Sequence, residues 1–95
     1  MVIIPDLIKI AHEDGTYTFG ARLEIDDLNE EFSLNLTEEE YYTTLGGLIL
    51  YVAEDIPEEG QTISLKHYEV MVLEAMQNRL IKVKLTPKST EEEVE

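Results

Sequence analysis

Apolar positions along this chain change their spacing twice. Leu7 to Ala11 and Thr16 to Phe19 alternate loosely with polar residues on either side of Asp14-Gly15, a hairpin turn signal, which predicts two antiparallel strands. Ile25, Leu28 and Phe32 then fall at i, i+3 and i+7, the spacing of a short amphipathic helix through EIDDLNEEF. Leu45, Leu48, Ile49, Val52, Ala53 and Ile56 form a second helical stripe, the one around which the chain is organised. Thr43 or Thr44 can cap its start, and Ile56-Pro57 ends it, because proline disfavours helical geometry in the preceding residue. Beyond Gly60 the period becomes two: Thr62 to Leu65, a turn near Lys66-His67, Tyr68 to Met76, a turn at Gln77-Asn78 where asparagine tolerates left-handed geometry, and Leu80 to Leu85. In the last strand Ile81, Val83 and Leu85 are expected on one face, with Lys82 and Lys84 on the other.

Three local signals refine this pattern. Gly46-Gly47 lies in the first turn of the main helix, where each glycine costs about 1 kcal/mol relative to alanine. Such a pair is explained by another backbone packing closely on that face. Thr37-Glu38-Glu39-Glu40 has the form of a capping box, and predicts a turn leading into the helix. From Pro87 onward PKSTEEEVE is charged and aperiodic, so residues 1–87 are expected to form one domain and 88–95 a frayed acidic tail. The order β-β-α-α-β-β-β gives an α+β fold, a mainly antiparallel sheet with both helices on one face.

Composition restricts what such a domain can do. A chain of 95 residues buries only about 60–65% of its unfolded surface, and its 43% hydrophobic content suffices for a single core. Without cysteine there is no disulfide scaffold, thiolate metal site or cysteine nucleophile. The apolar runs MVII and LGGLILYVA fall well short of the roughly 20 residues of a spanning helix, and MVIIPD lacks the features of a signal peptide.

Net charge is −14, and from Leu23 to Leu65 there are 12 acids and no Lys or Arg. Nucleic acid and anionic membrane surfaces reward clustered positive charge, so neither is an expected partner. Asp26 and Glu30, and likewise Asp27 and Glu31, lie four apart and share a helix face. Grouped carboxylates can hold magnesium or, better, calcium through oxygen ligands, although no EF-hand loop is present and a solvated acidic face is the ordinary outcome. His12 and His67 have no spacing that joins them to a serine or acid, so no catalytic set is legible. Tyr41-Tyr42 reads as a lid over the core that could also reach a partner surface. Gly46-Gly47 fits neither GxGxxG nor GxxxxGK[ST], and offers no phosphate loop.

An ordered set of short segments carries a family resemblance. It comprises Asp14-Gly15-Thr16-Tyr17, Gly20-Ala21-Arg22, Ile25-Asp26-Asp27-Leu28-Asn29, Thr44-Leu45-Gly46-Gly47-Leu48-Ile49 and Ile56-Pro57-Glu58-Glu59-Gly60. The closing Tyr68 to Lys82, with Val72-Leu73-Glu74 and Arg79-Leu80-Ile81-Lys82, completes it. Together they resemble the CorC/HlyC transporter-associated domain over roughly residues 8 to 85. Glu54-Asp55 stand where that family usually has a glycine before Ile-Pro, and Gln77-Asn78 where it usually has Asp-Gly. The resemblance implies a non-catalytic accessory domain on the cytoplasmic side of a membrane protein linked to magnesium and cobalt efflux, joined to a transmembrane region and a CBS-domain pair. It also implies a fold likened to part of that of FAD-binding oxidases, which makes a module binding FAD or an adenine nucleotide the alternative. Exposed strand edges are compatible with a homodimer.

Overall fold

Phe19, Val70, Val72, Val83 and Leu85 are all buried, and they come from three different strands of one five-stranded sheet. The computed structural model describes residues 4–88. A 3-10 turn at Pro5–Leu7 precedes β1 (Lys9–Ala11) and β2 (Tyr17–Gly20). Helices α1 (Ile25–Phe32) and α2 (Leu45–Ala53) follow, then β3 (Thr62–Ser64), β4 (Tyr68–Met76) and β5 (Arg79–Pro87). Strand order is β1-β2-β5-β4-β3, every pair antiparallel, so strands from both ends of the chain meet at β2 and β5. The expected α+β order is therefore present, and Leu7, expected in the first strand, belongs to the 3-10 turn. The tail expected at 88–95 lies outside the described residues from position 89 onward. Lys88 is itself held, its amide on the His67 carbonyl at 3.0 Å and its Nζ on Ser64 Oγ at 2.6 Å.

Both helices bury their stripes on the same side of the sheet. Ile25 and Leu28 of α1 and Leu45, Leu48 and Ile49 of α2 join Phe19, Val70, Val72, Val83 and Leu85 in one core cluster. Each fully buried aliphatic side chain of this kind contributes about 1.5–3 kcal/mol. Phe32 closes the end of α1 against Tyr17 and Phe19, with ring centroids 5.5 Å from each. The glycine argument holds at Gly46: its N–H donates to the Ala21 carbonyl at 2.8 Å, and a Cβ there would stand 3.1 Å from that oxygen. Gly47 approaches a side chain instead, the Cβ of Tyr42.

Four sequence expectations need correction. Helix α2 stops at Ala53, because Glu54 adopts left-handed geometry at φ 64° and its amide closes on the Leu50 carbonyl. Val52 is consequently 43% exposed, and Ile56 lies beyond the helix. The turn expected ahead of the main helix is present at Glu40-Tyr41, but it is closed by an isolated bridge between Glu39 and Tyr42 and not by a capping box; the Thr37 carbonyl accepts the Tyr42 hydroxyl at 3.0 Å. The cap of α2 is Thr44, whose Oγ1 accepts the Gly47 amide at 3.1 Å. Two offsetting register shifts between β4 and β5 break the simple alternation, so Leu80 joins the core cluster while Ile81, also buried, does not. At the Gln77-Asn78 turn it is Gln77, not Asn78, that takes positive φ, at 24°.

Candidate functional site

The starts of the two helices are laced together by backbone. The Ile25 amide donates to the Thr43 carbonyl at 2.9 Å, and the Leu45 amide to Leu23 at 2.9 Å. This antiparallel contact, with its bridge between Glu24 and Thr44, sets the loop at 33–44 beside the first turn of α1. Asn29 secures the loop from the other side: its Oδ1 accepts the Leu36 amide at 2.7 Å, and its Nδ2 donates to the Leu36 carbonyl at 2.9 Å and to Glu38 Oε2 at 3.0 Å. Two cavities result, and Tyr42 lines both.

The smaller, about 150 Å³, is acidic, with Glu24, Asp26, Glu38 and Glu39 around Tyr42 and Thr43. Carboxylate oxygens of Glu24, Asp26 and Asp27 come within 4.8 Å of one another, all three side chains exposed. Of the four carboxylates singled out in the sequence, Asp26 and Asp27 thus converge, while Glu30 and Glu31 stand outside the group. Glu31 is engaged elsewhere, on Lys9 Nζ at 2.7 Å. Glu24 was not foreseen, since it precedes the helical stripe and reaches the cluster only because it caps α1 in extended geometry. Helix N-termini carry a partial positive charge of about half a unit that favours acids without any bound ion. Asp26 Oδ1 already accepts the Asp27 amide at 2.8 Å.

The larger cavity is a groove of about 280 Å³ between α2, the 35–42 loop and the β3–β4 turn. Leu36, Leu48 and Leu65 give it an apolar floor, Tyr42 and Tyr51 an aromatic wall, and Lys66 and His67 the third side. The Tyr41-Tyr42 pair is split here. Tyr42 is buried as a lid, and Tyr41 points outward at 67% exposure, its ring parallel to Tyr51 at a centroid distance of 5.5 Å. Burial is the main cause of the raised pKa of the Tyr42 phenol, with the charge of Glu39 and then Tyr51 adding to it. Such a groove lies just below the roughly 300–1,000 Å³ of sites for drug-sized ligands, and a dinucleotide such as FAD would not fit inside it. The flavin alternative therefore gains no support from this geometry.

Neither histidine enters a catalytic constellation among the described residues. His12 is exposed on the uncovered sheet face with its Nε2 2.7 Å from Thr18 Oγ1, and His67 is exposed at the groove. No helix among the described residues is long and apolar enough to cross a membrane.

Comparison with known proteins gives these sites a context. A family model described as "Transporter associated domain" matches residues 10–89. The magnesium and cobalt efflux protein CorC of Escherichia coli K12 is 35% identical over 68 residues, which is 72% of this chain but 23% of that protein. The chain spans about a fifth of the length of such curated relatives, between 16% and 23%. A solved protein of Haemophilus influenzae, described as functionally unknown, superposes with a TM-score of 0.77 at 28% identity, covering 85% of this chain and 99% of that one. The same fold occurs in a domain of a Xylella fastidiosa hemolysin solved in complex with Mg²⁺ and Mn²⁺, with a TM-score of 0.71 at 22% identity over 85% of this chain and 98% of that one. With four-fifths of its length matched and its α+β architecture shared with these structures, the chain belongs to the CorC/HlyC transporter associated domain family.

Proposed function

We propose that this domain is a non-catalytic regulatory module of a divalent-cation transport protein, acting from the cytoplasmic side through contacts with a CBS-domain pair of the same longer chain. The observation that carries the reading is the family match across residues 10–89, together with 35% identity to a magnesium and cobalt efflux protein. The whole protein would then move magnesium or cobalt, and this domain would bias that movement without touching the ion pathway. The reading predicts one reading frame encoding a membrane-spanning region and a CBS pair ahead of these residues. Removing residues 4–88 from that protein should change its cobalt efflux rate at unchanged membrane abundance. Efflux identical with and without the domain, or a reading frame of these 95 residues alone, would overturn it.

A second reading places a divalent cation on Glu24, Asp26 and Asp27, supported by the convergence of their oxygens within 4.8 Å and by the ions held by the Xylella domain. Magnesium holds oxygens at about 2.0–2.1 Å in near-octahedral geometry and calcium at about 2.3–2.6 Å in looser geometry, so the two ions report differently on the same carboxylates. Calorimetric titration with Mg²⁺, Mn²⁺ and Ca²⁺ tests it. Saturable heat that disappears in Asp26→Asn with Asp27→Asn is the expected outcome. Heat that survives both substitutions, or no saturable heat at millimolar metal, removes the site.

A further inference from the structure

Tyr51 sits near the C-terminal end of α2 at 55% exposure, in the face-to-face stack with Tyr41. Val52 beside it is 43% exposed, so the end of this helix leaves unburied an apolar and aromatic surface that the core does not use. Tyr51 is also the shared wall between the groove and an open depression lined by Leu50, Glu54, Asp55 and Ile56. Carboxylates therefore lie on both sides of the tyrosine stack, Glu39 in the groove and Glu54 and Asp55 in the depression. We propose that this surface docks a basic polypeptide segment, with a lysine or arginine head group seated on the Tyr41–Tyr51 stack and its apolar neighbours laid into the groove over Leu36 and Leu65.

Three arguments select that occupant. A cation over a tyrosine face gains from the ring quadrupole, and flanking carboxylates add to the same attraction. With a net charge of −14 the domain as a whole attracts cations and repels anions, and beside Tyr51 the local charges are the carboxylates of Glu39, Glu54 and Asp55. A second copy of the chain brings the same −14 and so docks against like charge, as would an anionic lipid surface. Lys66 and His67 occupy the third wall, which fixes the direction: the basic head group goes to the tyrosine end. The inference rests on these side chains and not on the transport reading, so either can fail alone.

The full 95-residue chain, isotope-labelled, is titrated with the blocked pentapeptide LRLRL and, in parallel, with LELEL. Saturating amide shifts are expected for LRLRL in residues 38–42, 50–55 and 64–68, and none for LELEL. Tyr51→Ala should weaken LRLRL binding about three- to tenfold, and Glu39→Gln with Glu54→Gln should reduce both the affinity and its salt dependence. Tyr51 is exposed, so the variant should keep the dispersed spectrum of the folded chain. Several results overturn the proposal: no saturation by about 1 mM peptide, shifts centred on Asp26 and Asp27, or affinity unchanged by Tyr51→Ala. So does a concentration-dependent dimer abolished by that substitution, which would make a second copy the occupant.

Discussion

Gly20 and Asp6 lie backbone against backbone. A Cβ on Gly20 would overlap the Asp6 carbonyl group and stand 2.5 Å from the Leu7 amide nitrogen. The same approach lets the Gly20 amide reach the Ile8 carbonyl at 2.7 Å and the Arg22 amide reach Asp6 at 3.0 Å. It also buries the Asp6 carboxylate, whose Oδ2 faces Arg79 at 3.4 Å and Arg22 at 3.6 Å. Gly20→Ala must therefore displace the 3-10 turn from β2, at a cost of about 3 kcal/mol. Gly46→Ala is milder, since a Cβ would meet the Ala21 oxygen at 3.1 Å and about 1 kcal/mol of helix propensity offsets the crowding. Urea unfolding of both variants checks the ranking. Equal midpoints for Gly20→Ala and wild type would mean that the turn is not packed as described.

These two glycines also show where the sequence could be read and where it could not. Gly46 sits in a helix, where the residue is costly, so its presence demanded a close neighbour before any coordinates. Gly20 ends a strand, where glycine signals many things, and its neighbour comes from a turn in the first seven residues that periodicity does not mark. The order of elements along the chain and the presence of both helices followed from spacing; the strand order β1-β2-β5-β4-β3 did not, because period-two patterns do not say which strands pair. The double register shift between β4 and β5 did not, because Leu80 and Ile81 are both apolar and either could face the core. At the acidic site, Asp26 and Asp27 were legible by their helical positions. Glu24 was not, because its place depends on the backbone pairing with Thr44 that no local pattern encodes.

Glu54 holds left-handed geometry at φ 64° immediately after α2. A non-glycine residue there carries strain of about 1–2 kcal/mol, and an acid at a helix C-terminus faces the negative end of the dipole. Both effects act in the same direction. Glu54→Gly should therefore stabilise the domain by about 1 kcal/mol, net of the greater chain entropy of glycine. Gly60→Ala serves as the opposite control, with open space around it but φ at 87°, and should destabilise. A lower urea midpoint for Glu54→Gly would refute the capping argument.

Asn29 bonds both the amide and the carbonyl of Leu36, 7 residues away. Asn29→Ala leaves both backbone groups without that partner and should cost about 1–3 kcal/mol. The loop it holds forms one wall of the groove, so amide exchange at residues 35–42 should accelerate more than in the sheet. Exchange rising uniformly across the domain would show that the loop is not a separable unit.

At acid pH the Asp14 turn is the group to follow. Its carboxylate accepts the Thr16 hydroxyl at 2.7 Å and the Thr16 amide at 3.0 Å, and these bonds hold its pKa below the ordinary 3.8. A depressed carboxylate stabilises the fold above its unfolded pKa, and that contribution fades as pH falls through the lower folded value. Asp14→Ala should therefore lower the urea midpoint at pH 6 and flatten its fall below about pH 4. An acid limb identical to wild type would remove Asp14 from the account.

Tyr68 governs the alkaline side. Its phenol is buried and donates to the Leu34 carbonyl at 2.9 Å, tying β4 to the segment after α1. Burial first, and then the neighbouring Tyr17, raises its pKa above the ordinary 10.0; Tyr42 is raised too. The folded state thus holds these protons more tightly than the unfolded chain. Their contribution is complete below about pH 10 and is lost as pH climbs through the raised folded values. Tyr68→Phe removes the proton and the bond together, leaving the Leu34 carbonyl without its donor, at a cost of about 1 kcal/mol at pH 7. The difference between the variant and wild type should then narrow between pH 10 and 12, as the wild-type phenol ionises. Urea midpoints at pH 7, 10 and 11 measure that narrowing. A gap that stays constant across the three would mean that the Tyr68 proton plays no part in holding β4 to the Leu34 backbone.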